Sequence, residues 1–134
     1  MKIILVSHGP FSKGLMDSVQ MILGEQTELA SYCLMPEETP VALAERLKDE
    51  IKTAVEEEKE ILFFTDLFHG TPFNVVVSLM ENYYFGHITG VSLPLLMEAL
   101  MSRNEDTTVK EMSEHLMEEA NGYTLDVNKL LEEK

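Results

Sequence analysis

Two stretches decide the fold: Lys2-Ile3-Ile4-Leu5-Val6-Ser7-His8-Gly9 and Ile61-Leu62-Phe63-Phe64-Thr65-Asp66. Each is a short apolar run with no alternation of polar residues, the pattern of a strand buried on both faces of a parallel sheet. Each ends abruptly in a polar group, His8 in the first and Asp66 in the second. In an open α/β sheet the carboxyl ends of adjacent parallel strands share one crevice. The reading therefore brings a histidine and a carboxylate together, a pairing that suits a histidine nucleophile oriented by an aspartate.

The rest of the chain alternates strand and helix around these two runs. Strand 1 is expected over Lys2–Ser7. Ser12 is read as the cap of a helix whose apolar positions Leu15, Met16, Val19, Ile22 and Leu23 follow helical spacing, with Gly24 as its stop. Strand 2 follows over Leu29–Leu34. Thr39-Pro40 is a cap followed by proline at the first helical position, opening a helix to about Glu57. Strand 3 covers Glu60–Thr65. Thr71-Pro72 repeats the cap-then-proline signature for a helix to about Asn82. Strand 4 is placed over His87–Val91, and Pro94 sits early in a helix reaching about Ser102. Thr108-Val109-Lys110-Glu111 is a capping box, and Gly122 ends the helix it opens. Tyr123–Val127 is read as a fifth strand, and Asn128 as the cap of a short terminal helix. Strands joined by crossover helices give a doubly wound, mainly parallel sheet flanked by helices.

Composition sets the outer bounds. With 134 residues and 45% hydrophobic content, the chain is read as one domain, 1–134, large enough for a proper core. No apolar stretch reaches transmembrane length, and the first strand starts at once without a signal peptide, so a cytoplasmic protein is expected. Its single cysteine, Cys33, agrees with a reducing compartment and is read as a buried, inert thiol. The net charge of −14 makes nucleic acid a poor partner. The acid is unevenly spread: residues 1–24 hold Lys2 and Lys13 against Asp17, while clusters such as Glu56-Glu57-Glu58 and Glu118-Glu119 lie later. Those clusters read as solvated helix faces. The distribution also keeps acid away from His8, where a phosphoryl group could arrive.

The polar residues at the strand ends each read two ways. His8 is either a loop residue or a nucleophile in the crevice where α/β folds place ligands, and Gly9 lets a ligand approach the backbone. Asp66 either opens a turn or accepts one ring N–H of His8, fixing its tautomer and freeing the other nitrogen. Gly70-Thr71-Pro72 is a helix entry, and a helix N-terminus with a hydroxyl beside it is also an anion site. Phe68 and Phe73 are read as core, Asn74 as an ordinary early-helix residue, and the Met-rich segment Leu95–Met101 as core or interface packing. His69, His87 and His115 show no metal-ligand spacing, and no metal is expected. No cofactor is expected either.

Taken together, three segments resemble the enzyme IIA family, mannose class, of the bacterial phosphoenolpyruvate-dependent sugar phosphotransferase system. They are the start Ile3–Gly9, the stretch Asp-Leu-Phe-His-Gly-Thr-Pro-Phe-Asn over residues 66–74, and Gly90-Val91-Ser92-Leu93-Pro94. The middle motif is the specific one. The resemblance implies a cytoplasmic phosphocarrier of doubly wound fold. A histidine matching His8 would take a phosphoryl group from the carrier protein HPr and pass it to the IIB component, which serves the membrane components IIC and IID. It implies that Asp66 pairs with the histidine, that Thr71 lies near the phosphate, and that the protein is a homodimer exchanging a C-terminal strand; from their places at the strand end and the helix entry, Gly9 and Gly70 are expected to bind the phosphate as well. The family commonly has glycine where this chain has His69, which is read as a bystander, and Glu37 stands where a related Pro-Gly-Glu loop has glycine. Three other readings compete. The phosphocarrier module of a dihydroxyacetone kinase shares the early histidine but lacks the Gly-Thr-Pro-Phe-Asn stretch. A small metal chelatase would need Glu37 or His69 as further ligands. A receiver-like module would need acids where Ser7-His8 stand.

Overall fold

A computed structural model describes residues 1–132. Its strands are β1 (Lys2–His8), β2 (Leu29–Leu34), β3 (Ile61–Thr65) and β4 (Gly86–Thr89). They form one sheet in the order β2-β1-β3-β4, with every pair parallel. The helices are α1 (Phe11–Leu23), α2 (Pro40–Glu56), α3 (Thr71–Leu79), α4 (Leu93–Ser102), α5 (Val109–Glu119) and α6 (Val127–Glu132), with a 3₁₀ turn over Ala120–Gly122.

The unbroken apolar runs are explained by two cores, one on each face. Alternate residues point opposite ways along a strand. Ile3, Leu5, Leu62 and Phe64 pack with Leu15, Leu96, Met112 and Leu116 from α1, α4 and α5. Ile4, Val6, Ile61 and Phe63 pack with Leu43, Leu47, Val75 and Val76 from α2 and α3. A polar residue at any central strand position would therefore be buried on one side or the other. The cores also explain Gly86. A side chain there would begin 2.5 Å from a Val109 methyl and 3.0 Å from a Leu62 methyl, so glycine lets α5 lie against β4.

The helix starts divide between agreement and correction. Thr39 caps α2 by accepting the Ala42 N–H at 3.1 Å, and Thr108 with Glu111 forms the capping box of α5. Ser12 is not the cap of α1. The helix begins two residues earlier, at Phe11 after Pro10, and the Ser12 N–H is received by the hydroxyl of Ser7 at 2.7 Å. Thr71 is not the cap of α3 either; Gly70 holds that position and Thr71 is the first helical residue. The helix is also shorter than expected, ending at Leu79.

The C-terminal region departs most from the reading. Tyr123–Val127 forms no strand: residues 123–126 carry no regular element and Val127 already begins α6. A strand exists only when paired, and within this chain the segment pairs with neither edge of the sheet. Asp126, rather than Asn128, accepts the Lys129 N–H at the start of α6. Leu125, Val127, Leu130 and Leu131 are exposed there. Among the described residues, no helix is long and apolar enough to cross a membrane.

Candidate functional site

Strand order reverses direction between β1 and β3: from β1 the chain moves outward to β2, and from β3 outward to β4. Connections leave the two central strands toward opposite faces, which opens a crevice at their carboxyl ends, the usual ligand position of this architecture. His8 closes β1 and Asp66 follows β3 at that crevice.

Their contact is specific. Asp66 Oδ2 accepts the backbone N–H of His8 at 2.9 Å and lies 2.9 Å from the His8 Nδ1. A carboxylate only accepts, so Nδ1 carries a proton, and in the neutral ring Nε2 keeps its lone pair. The His8 side chain is 49% exposed and that of Asp66 15%, so the acid is sheltered while the ring faces outward. Asp66 Oδ1 is buried with no hydrogen-bond partner among the described residues, so the carboxylate holds the chain through Oδ2 alone. The Thr65 carbonyl accepts the N–H groups of Gly90 and Val91, which ties the end of β3 to the turn after β4.

Gly70 forms the wall beside the ring. A β-carbon there would lie 3.0 Å from His8 Cε1 and 3.4 Å from Nε2, and its φ of +104° is itself a glycine conformation. The next residues start α3. Asn74 is the first to find a helical backbone acceptor, Gly70 O at 2.9 Å. Pro72 has no N–H, so Thr71 and Phe73 present theirs beyond the helix end, and a helix N-terminus favours anions. Because Gly70 is the cap, the Thr71 hydroxyl is not spent on capping. Gly9, at φ +54°, donates its own N–H to Leu34 O at 2.9 Å. It can therefore give a ligand room but not this donor.

The remaining histidines fall outside this pairing. His69 adopts φ +63°, which is why a glycine suits that position, and its ring packs on Phe68 (3.9 Å between centroids) and Phe73 (5.7 Å). Phe68 is exposed rather than core, because the loop carries it above the sheet; Phe73 is half-buried, against His87. Burial pushes His87 down to about 4, leaving a neutral ring 2.8 Å from the Thr65 hydroxyl. His115 pairs with Glu98 at 2.6 Å, between α5 and α4, and that hydrogen bond raises its pKa. Cys33 is half-buried beside the Ser12 hydroxyl. Glu38, next to Glu37 on the rim, is tied to Arg46. Among the described residues, no three His, Cys, Asp or Glu side chains are grouped to hold a metal ion.

Sequence reasoning missed Ser7, which it treated only as a strand end. The hydroxyl is buried, accepts the Ser12 N–H and donates to Gly9 O at 3.2 Å. The available signal was a polar residue closing an apolar run directly before His8.

Comparison with known proteins gives the family and the fold. Residues 2–117 match the family described as PTS system fructose IIA component. The chain is 34% identical over 115 residues to the fructose-specific EIIA component of Bacillus subtilis (strain 168), covering 85% of this chain and 77% of that protein. It is 33% identical over 120 residues to the sorbose-specific EIIA component of Lacticaseibacillus casei, covering 87% and 83%. The mannose/sorbose-specific IIA subunit from Enterococcus faecalis superposes with a TM-score of 0.83 at 28% identity, covering 93% of this chain and 92% of that one. A family match along most of the chain, joined to the same doubly wound architecture, makes this protein a mannose-class enzyme IIA of the sugar phosphotransferase system.

Proposed function

We propose that the whole chain, 1–134, is one cytoplasmic phosphocarrier domain that accepts a phosphoryl group from HPr on His8 and delivers it to a IIB component. The observation that carries this is the 2.9 Å contact of Asp66 with Nδ1 of a half-exposed ring, which in the neutral ring leaves the lone pair on Nε2. In the forward step the Nε2 lone pair attacks the phosphorus of phospho-HPr. A P–N bond forms on His8, the P–N bond on the donor histidine breaks, and that bond's electrons return to the donor ring. The His8 ring keeps its Nδ1 proton and gains positive charge, which Asp66 stabilises. In this reading the Thr71 hydroxyl and the N–H groups at the start of α3 receive phosphoryl oxygens, and Gly70 and Gly9 leave room for them. Transfer to IIB reverses the same chemistry on a new acceptor.

The reading also includes a homodimer in which the segment after α5 pairs on the partner's sheet; the unpaired Tyr123–Val127 segment and its exposed apolar residues support it. The test is incubation with phosphoenolpyruvate, enzyme I and HPr, followed by intact mass measurement. One acid-labile phosphoryl group is expected, absent in His8→Ala. Stoichiometric labelling of His8→Ala would refute the assignment.

A further inference from the structure

We propose that Ser7 is a positioning residue for phosphoryl transfer: its buried hydroxyl, held between the Ser12 amide and the Gly9 carbonyl, fixes the turn that carries His8. This rests on the phosphocarrier reading of His8.

His8 is held from two directions. On one side Asp66 grips its backbone N–H and its ring. On the other side the chain must leave β1, turn through Gly9-Pro10 and enter α1, and this turn sets the direction in which the ring projects. Pro10, at the cap position of α1, supplies no side-chain acceptor. Ser7 does so instead, reaching across the turn from the strand, 2.7 Å from the Ser12 N–H. Its one proton goes to the Gly9 carbonyl at 3.2 Å. One hydroxyl thus uses its donor and an acceptor site on the two ends of a single turn. Ser7 and Ser12 are each 1% exposed, so the bond between them is closed to water, while Gly9 is half-buried. The turn is further stitched to β2, where Ser12 Oγ donates to Tyr32 O at 3.1 Å and the Gly9 N–H to Leu34 O.

Removing the hydroxyl orphans the Ser12 N–H and frees the Gly9 carbonyl at a residue whose φ is already +54°. The ring then keeps its Asp66 contact in only part of the population. Misplacement of a reacting group by about 1 Å can cost on the order of a hundredfold in rate.

The experiment measures single-turnover transfer from phospho-HPr to the full chain over a range of donor concentrations. Ser7→Ala is expected to lower the maximal rate about tenfold to a hundredfold with little change in the half-saturating concentration of HPr. Ser7→Thr, which keeps the hydroxyl, should recover most of that loss. Leu116→Ala, a core truncation on α5, controls for stability alone and should keep the parental maximal rate. If Ser7→Ala does not fold, Ser7→Cys keeps the volume with a weaker hydrogen bond and carries the same expectation. A parental maximal rate in Ser7→Ala, or equal slowing in Ser7→Ala and Ser7→Thr, would overturn the inference. Ring ¹⁵N NMR of His8 gives a readout that needs no phosphoryl donor. A fall in the Nδ1–H tautomer in Ser7→Ala supports the positioning role, and an unchanged population opposes it. Should the parent chain accept no phosphoryl group, the phosphocarrier reading fails while this measurement still decides Ser7.

Discussion

Asp66→Asn separates the two things the carboxylate does for His8. An asparagine can present its amide oxygen where Oδ2 stands, so both the His8 N–H and Nδ1–H keep an acceptor and the turn need not move. What disappears is the negative charge beside a ring that becomes positive during transfer. Charges about 4 Å apart interact by about 4 kcal/mol at an effective dielectric near 20 and about 1 kcal/mol in bulk water. The His8 side chain is 49% exposed, so the effect lies between these limits. At about 1.4 kcal/mol per tenfold, the expected loss in transfer rate is roughly fivefold to a thousandfold. The assay is rapid-quench transfer from phospho-HPr, with circular dichroism and thermal melting to show that the fold is retained. Asp66→Ala also strips the acceptor from the His8 backbone N–H, so it should be slower still and less stable. Asp66→Asn transferring at the parental rate would refute the argument that this charge acts on the ring.

Three further outcomes follow from the same geometry. His69→Gly relieves a non-glycine φ of +63° at the cost of the ring's packing on Phe68 and Phe73, so transfer from HPr should stay within a few-fold of the parent; loss of phosphorylation with an intact fold would make His69 a participant. His87, depressed to about 4 by burial, binds a proton in the unfolded chain at a pH where the folded chain refuses it. Its contribution to stability is therefore full above pH ~6.5 and lost as pH falls toward 4, and His87→Gln should flatten the acid limb of a Tm-against-pH curve by comparison with the parent. Cutting the chain after Gly122 should abolish the homodimer and lower stability, and a monomeric mass for the intact protein at micromolar concentration by light scattering would count against the dimer.

What the sequence discloses and what it hides divide along a physical line. β2 and α4 end where the sequence reading ends them: Met35-Pro36 follows Leu34, and Ser102 precedes Arg103, whose guanidinium turns back to the carbonyls of Met1 and Glu28. Both strands of the crevice were readable because burial on two faces keeps them apolar until their last residues, Ser7 and His8 in β1 and Thr65 in β3. The meeting of His8 and Asp66 follows from topology, since two neighbouring parallel strands must end on the same side. Interactions that cross between elements left no such trace. Ser12 looks like a cap because serine usually caps its own helix, yet a serine five residues earlier, on the strand, accepts its N–H. Thr71 looks like a cap because Thr39 is one, but a glycine at φ +104° occupies the position before it. Phe68 looks like core by hydrophobicity and is 62% exposed, because a loop lifted it off the sheet.

The C-terminal segment marks the far limit of what one chain can reveal. Tyr-Thr-Leu-Asp-Val has strand composition, and its apolar members Leu125 and Val127 remain exposed at 63% and 59%. A helix satisfies its backbone internally, so its sequence announces it. A strand satisfies its backbone only on a neighbour, so its sequence announces a need and not its fulfilment. Within this chain that need goes unmet, and β4 keeps an unpaired outer edge among the described residues. The same segment thus forms no fifth strand within one subunit, and its exposed Leu125 and Val127 are what the homodimer proposal rests on. This is why the oligomeric state, rather than the fold of the single chain, is where that part of the sequence has to be judged.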